Sequence, residues 1–307
     1  MTNKRVNLGY LLLICVVIAI NKIPAIGQMI LEGGLVVNIL ISEGLVVLPM
    51  FLITIASGEK LSTLFSFHKI RITSVLWLIL FTYLMVPFTA FLNSLSLLFT
   101  SNTVLQMSGE IVSGSPVVML LMMAVVAPLC EELVFRGIVY GTYRKSGNLL
   151  KAATLSALLF GLMHMNFNQA IYAFAIGIIM VLMVEATGSL WASLIFHVIF
   201  NANSVVTLFT SSSALGDASL QETAESAIST GNTLYMIIGV YFVISLITVP
   251  IGFKILGRVS RNEGREGYFG RILESRHVNA RLVTIPLILA IILALGFMTC
   301  LLLGIGF

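Results

Sequence analysis

Long apolar stretches separated by short polar connections dominate the chain, and nine of them have the length or composition of helices crossing a bilayer. They run from Val6 to Ile20, Leu35 to Ser57, Ser74 to Thr100, Pro116 to Tyr143, Leu149 to Met165, Gln169 to Thr187, Gly188 to Phe209, Thr233 to Leu256 and Leu282 to Phe307. A hydrocarbon core of ~30 Å needs roughly 20 residues as a helix, since lipid leaves the backbone groups of open strands and loops unsatisfied. The pattern therefore predicts an all-α, polytopic transmembrane bundle of about eight to nine spans. No internal repeat, phosphate-binding glycine pattern or low-complexity tract stands out, and the connections are too short for a second folded unit. The expectation is one integral membrane domain over residues 1–307, with any chemistry inside the bundle.

Composition sharpens this reading. Of 307 residues, 58% are apolar and 10% charged, against about 25% charged in soluble domains, and mean hydropathy is +1.05. These values exclude a soluble protein. The net charge of +4 would matter for a nucleic-acid partner only if the cations formed a patch, and they do not. Fifteen of the 17 Lys and Arg residues fall in alternate connections: Lys4 and Arg5; Lys60, Lys69 and Arg71; Arg144, Lys145 and Lys151; and seven between Lys254 and Arg281. The exceptions are Lys22 and Arg136. By the positive-inside rule that side is cytoplasmic, which puts the amino terminus inside and the carboxyl terminus outside. The connection from Thr210 to Asn232, with Asp217, Glu222 and Glu225 and no cation, fits the opposite face. Topology alone explains the basic Lys254 to Arg281 connection. The first stretch also resembles a signal peptide, but no small-residue cleavage site follows, so it is expected to remain as a helix. Cys15, Cys130 and Cys300 all sit in apolar stretches and read as small apolar side chains.

Ionisable groups in the bilayer interior are costly and mark a pairing or a function. Here they cluster on three stretches: Glu131, Glu132 and Arg136 in the fourth, His164 at the end of the fifth, and His197 and Asn201 in the seventh. Residues four apart share a helical face, so Glu132 and Arg136 can pair, as can His197 and Asn201, while Glu131 points about 100° away from its neighbour and stays available. Counted from the cytoplasmic end of each helix at ~1.5 Å per residue, Glu131 lies ~20 Å deep, His164 ~22 Å, His197 ~14 Å and Asn201 ~20 Å. Three helices thus carry polar groups to a similar level. A Glu132 to Arg136 pair on its own would be explained by packing, and a lone His164 by a structural hydrogen bond. The combination points to an active site.

A buried carboxylate beside a histidine suits general-base work on a water molecule. No serine is placed for a Ser-His dyad, and Cys130 would point away from Glu131. A zinc site built from a glutamate with His164 and His197 is the rival reading, although H-E-x-x-H is absent and two adjacent glutamates do not easily face one metal. Glu43, mid-helix in the second stretch, either lines a cavity or meets a polar group on another helix. Glu185 is expected to reach the interface. Met119, Met122, Met123, Met163 and Met165 are expected as flexible apolar filling, and Asn166 and Asn168 either polarise the site or cap a turn.

The motifs E-E-x-x-x-R, F-x-x-x-H and H-x-x-x-N, in this order and each in a membrane helix, resemble those of the CPBP family, the CAAX proteases and bacteriocin-processing enzymes also called Abi. The resemblance covers roughly Pro116 to Thr210, the motif-bearing core, and is similar in kind to type II CAAX prenyl proteases. It implies an intramembrane glutamic endopeptidase without a cofactor. Glu131 with His164 would activate water, His197 and Asn201 would stabilise the oxyanion, and Glu132 with Arg136 would hold the glutamate helix in register. It implies a membrane-associated peptide or protein substrate, no nucleic acid, and residence in a plasma membrane, with a Gram-positive source. The competing functions are a non-catalytic scaffold or bacteriocin self-immunity protein, and a transporter, for which no repeat-related pair of broken helices is evident.

Overall fold

In the computed structural model, residues 1–20, 23–215, 231–273 and 281–305 are described. Lys22, the acidic connection holding Asp217, Glu222 and Glu225, part of the Lys254 to Arg281 connection and the last two residues of the ninth stretch lie outside them. Among the described residues the long elements are all helices: α1 (Asn3–Ile20), α2 (Pro24–Ala56), α3 (Ile72–Ser96), α4 (Pro116–Ser146), α5 (Leu149–Met163), α6 (Phe167–Thr187), α7 (Leu190–Leu215), α8 (Gly231–Asn262) and α9 (Ile285–Leu302). Eight are long and apolar enough to cross a membrane. The exception is α5, whose 15 residues rise only ~22 Å. Among the described residues the protein is a multi-pass membrane bundle with eight helices of spanning length and one shorter apolar helix, α5.

Side chains explain why this surface suits lipid. Leu48, Leu52, Ile55, Ile72, Leu76, Val243, Ile247 and Ile292 are all exposed, an arrangement that water would penalise and acyl chains do not. The interior is filled by aromatic and branched residues such as Tyr10, Phe81, Phe135 and Phe196. The most buried of the long helices is α6, which packs closely on α5. Small residues permit this approach, as is usual where lipid gives helices no hydrophobic drive to associate. A Cβ on Gly177 would meet Ala157 at 2.9 Å, and one on Gly161 would meet the Ala170 carbonyl at 2.7 Å. Gly161→Val is therefore expected to push α5 off α6, costing on the order of 1–3 kcal/mol and moving His164 just beyond it. Gly296→Ala, where no atom lies within 4 Å, is the neutral control; thermal unfolding in detergent compares them.

The basic connections converge on one end of the bundle. Glu59 binds Lys145 and the Met1 amine, and the hydrogen bond from Lys145 followed by that from the amine holds its carboxyl down at about 2. Glu263 accepts from the Arg71 amide at 3.1 Å, and Asn3 donates to the Arg281 carbonyl at 3.2 Å. Glu185 is buried at this same end rather than reaching out. It pairs with Arg144 at 3.0 Å and Arg265 at 3.7 Å and accepts from the Tyr140 hydroxyl, so one carboxylate ties α4, α6 and the stretch after α8 together. The grouping of cations deduced from alternate connections is a physical cluster in space.

Two helices depart from regular geometry. The helix α2 is broken at Gly34, with φ of 70° and ψ of −175°, a backbone state that glycine adopts without steric cost. The helix α4 winds as a π-helix over Leu120–Val126 and again over Leu133–Tyr140, on either side of a regular turn at Ala127–Glu132. Such insertions are frequent at functional sites.

Candidate active site

The regular turn between the two π-helical stretches carries the adjacent glutamates, midway along α4. Glu132 and Arg136 form the predicted i, i+4 pair at 2.8 Å, with side chains only 1% exposed. The Arg136 guanidinium also lies 4.2 Å over the Phe160 ring, a contact that replaces part of its lost hydration. Glu131, 8% exposed, faces elsewhere and lines a cavity of about 290 Å³ together with His164, His197 and Asn201. All four residues singled out as reactive meet this one space, brought by α4, the end of α5 and α7.

Within it, contacts distinguish the histidines. The imidazole beside Glu131 is that of His197, whose Nε2 stands 3.5 Å from Glu131 Oε2. Its Nδ1 is 3.1 Å from Glu132 Oε1, the oxygen that also receives Arg136. A chain of Arg136, Glu132, His197 and Glu131 results, in which a buried carboxylate fixes the ring that touches the available one. This follows the general arrangement in which an orienting group sets a reactive imidazole. His164 instead donates its Nδ1 hydrogen to the Phe160 carbonyl at 3.0 Å, so in the neutral ring Nε2 keeps its lone pair. Phe160 stands edge-on to both rings, 5.2 Å from His164 and 5.8 Å from His197 between centroids. The phenylalanine of F-x-x-x-H is thereby the wall against which Arg136 and both histidines are set.

Asn201 has a backbone partner that only the π-helix explains. In the first π-helical stretch the Ala127 amide donates to the Met122 carbonyl, so the Met123 carbonyl would look to residue 128. That residue is Pro128, which has no N–H. Asn201 Nδ2 donates to Met123 O at 2.9 Å and supplies the missing bond, leaving its second amide hydrogen for the cavity. Beyond His164, Met165 takes φ of 54° and turns the chain into α6. Asn166 caps α6 through the Gln169 amide at 2.8 Å, and Asn168 donates to Asn93 and Ser96 at 2.9 and 2.8 Å. Both asparagines thus hold the turn and its neighbours. Of the five methionines named above, Met123 alone lines the cavity.

Several lining residues carried no motif. Gln169 and Tyr172 come from the first turns of α6, and Leu35, Asn38, Ile39, Ser42 and Glu43 from one face of α2. The signal for α2 was present in the i, i+3/4, i+7/8 spacing of these five positions, but a polar stripe does not reveal which neighbour it faces. Three or more His, Cys, Asp or Glu side chains that would form a metal-holding group are not found among the described residues. The cysteines are free.

The fold and this buried cluster define a multi-pass membrane protein whose motif-bearing core is similar to membrane peptidases. Residues 113–203, which include all six motif residues, match the family described as type II CAAX prenyl endopeptidase Rce1-like. Over 97 residues the chain is 24% identical to a protein of Bacillus subtilis (strain 168) that bears the provisional name membrane peptidase YdiL. The matched stretch is 32% of this chain and 39% of that relative, so the likeness spans about two fifths of the relative's length. No solved structure gives a significant match.

Proposed function

We propose that this protein is an intramembrane endopeptidase that hydrolyses a peptide bond in a membrane-associated peptide or protein, using water activated by Glu131. The observation that carries the reading is that Glu131 and His164 face one buried cavity from different helices, within the segment that matches the prenyl endopeptidase family. Glu131 takes the proton of the attacking water and returns it to the departing amine. His164 Nε2 accepts the other water hydrogen and aims the molecule. His197 gives Nδ1–H to Glu132, so it acts as a donor at Nε2 only in the imidazolium form; that Nε2–H holds the Glu131 carboxylate and, once Glu131 has taken the water proton, faces the oxyanion with the second amide hydrogen of Asn201, where pre-aimed donors are most effective. Arg136 balances Glu132 and keeps α4 in register. No metal takes part in this scheme. The proposed location is a plasma membrane, and the Bacillus relative favours a Gram-positive source.

The test is cleavage by the purified protein in detergent or nanodiscs. Membrane-associated peptides are expected to be cut by wild type and left intact by Glu131→Ala and His164→Ala, with chelators having no effect. Activity abolished by chelation and restored by zinc would replace this scheme with the metal version. A cellular effect that persists in both variants, with no cleavage by wild type, would make the protein a scaffold or immunity factor.

A further inference from the structure

The cavity holds a second carboxylate that the scheme above does not use. Glu43 enters it from α2, outside the segment that matches the prenyl endopeptidase family. Its Oε2 is buried with no hydrogen-bond partner. It is near enough to Glu131 for the two carboxylates to interact electrostatically. No Lys or Arg is among the described residues lining the cavity, and Arg136, the nearest motif cation, is committed to Glu132 and the Phe160 face. A carboxyl whose oxygen is buried without a cation is costly in its charged form, so it either keeps its proton or meets a cation that a ligand brings, and such a group within a bilayer marks a functional site by default.

The shape of the space says which part of a ligand arrives there. A second cavity of about 350 Å³ adjoins the first. Both are lined by Val104, Tyr172, Phe200, Ser204 and Leu208, and the second extends along α3 to Asn93. The shared side chains place the second space next to the first, so that lining runs from α2, past the glutamate and histidines, to α3. A substrate chain that reaches Glu131 from the α3 side brings the side chains nearest its scissile bond into the cavity that holds Glu43.

We infer that Glu43 is a specificity-determining residue that receives a lysine or arginine side chain of the substrate near the scissile bond. This rests on the endopeptidase reading and narrows its substrate class to basic, membrane-associated peptides. The Asn38 and Ser42 side chains, which line the same cavity and are hydrogen-bonded to each other at 3.2 Å, add neutral polar atoms beside Glu43. Glu43 touches no reacting atom in this role, so its replacement acts on substrate choice.

The experiment uses the full chain and peptides carrying Lys, norleucine or Glu in turn at each of three positions on either side of the cleaved bond. Wild type is expected to favour Lys over norleucine at one position by about 10- to 100-fold in kcat/KM, the range for a charge-assisted contact. Glu43→Gln, which keeps the side chain's shape, brings that ratio to near parity, mainly through KM for the Lys peptide. Glu43→Lys turns the preference towards Glu. An absence of preference in wild type, or a preference that survives Glu43→Gln, overturns the assignment while leaving the peptidase standing. Cleavage of no peptide by wild type, or cleavage unaffected by Glu131→Gln, removes the underlying reading itself.

Discussion

Glu131→Gln is expected to lower kcat by about 10³-fold with little change in KM, the loss typical of removing a general base. Gln keeps the size of the side chain and an amide oxygen towards His197 Nε2, now 3.5 Å from Glu131 Oε2. It has no lone pair basic enough to take a proton from water. The drop therefore belongs to chemistry and not to folding, and thermal unfolding of the variant should match wild type closely. Single-turnover cleavage followed by mass spectrometry separates the two. Full activity in a well-folded Glu131→Gln protein would end the mechanism. If Glu131 only packed the core, the amide would be a benign replacement and turnover would not fall.

The second large effect concerns stability. Arg136→Met leaves Glu132, whose side chain is 1% exposed, as a buried carboxylate without its guanidinium, still hydrogen-bonded to His197. Breaking a buried ion pair from one side costs about 3–5 kcal/mol, so this variant is expected to unfold at a markedly lower temperature. The paired change Glu132→Met with Arg136→Met removes both charges and should recover most of that stability, because apolar replacement of a whole buried pair is often neutral. Activity should stay low in the pair, since His197 Nδ1 has then lost the carboxylate 3.1 Å away that orients it. The separation of recovered stability from lost turnover is the decisive result. If both recover together, the Arg136 and Glu132 pair is packing alone.

Much of the bundle was legible before any coordinates. Apolar length located the spans because lipid demands continuous helices with internally satisfied backbones, and the observed ends differ by a few residues at most positions. The shortest was Leu149 to Met165, where α5 ends at Met163, a 15-residue helix closed by a left-handed Met165. Hydropathy measures the preference of side chains and does not fix where a helix ends. Glu185 shows the same limit: its place near a helix end was readable, but its burial against Arg144 and Arg265 depends on helices distant in sequence.

For the candidate site, helical spacing alone was enough to pair Glu132 with Arg136 and to leave Glu131 facing another sector, because four residues make nearly one turn. Depth counting put acid, imidazole and amide at similar levels for the same reason. Rotation of one helix against another is not encoded in spacing. Only packing decided that His197, not His164, stands beside Glu131, that Asn201 replaces the donor Pro128 lacks, and that the polar face of α2 brings Glu43 into the same cavity. The chain's own pattern thus determined which segments span the membrane and which polar groups lie within it. The tertiary structure determined which of those groups meet, since contacts across helices follow from side-chain volumes and close approach at residues such as Gly161 and Gly177, not from any periodicity along one helix.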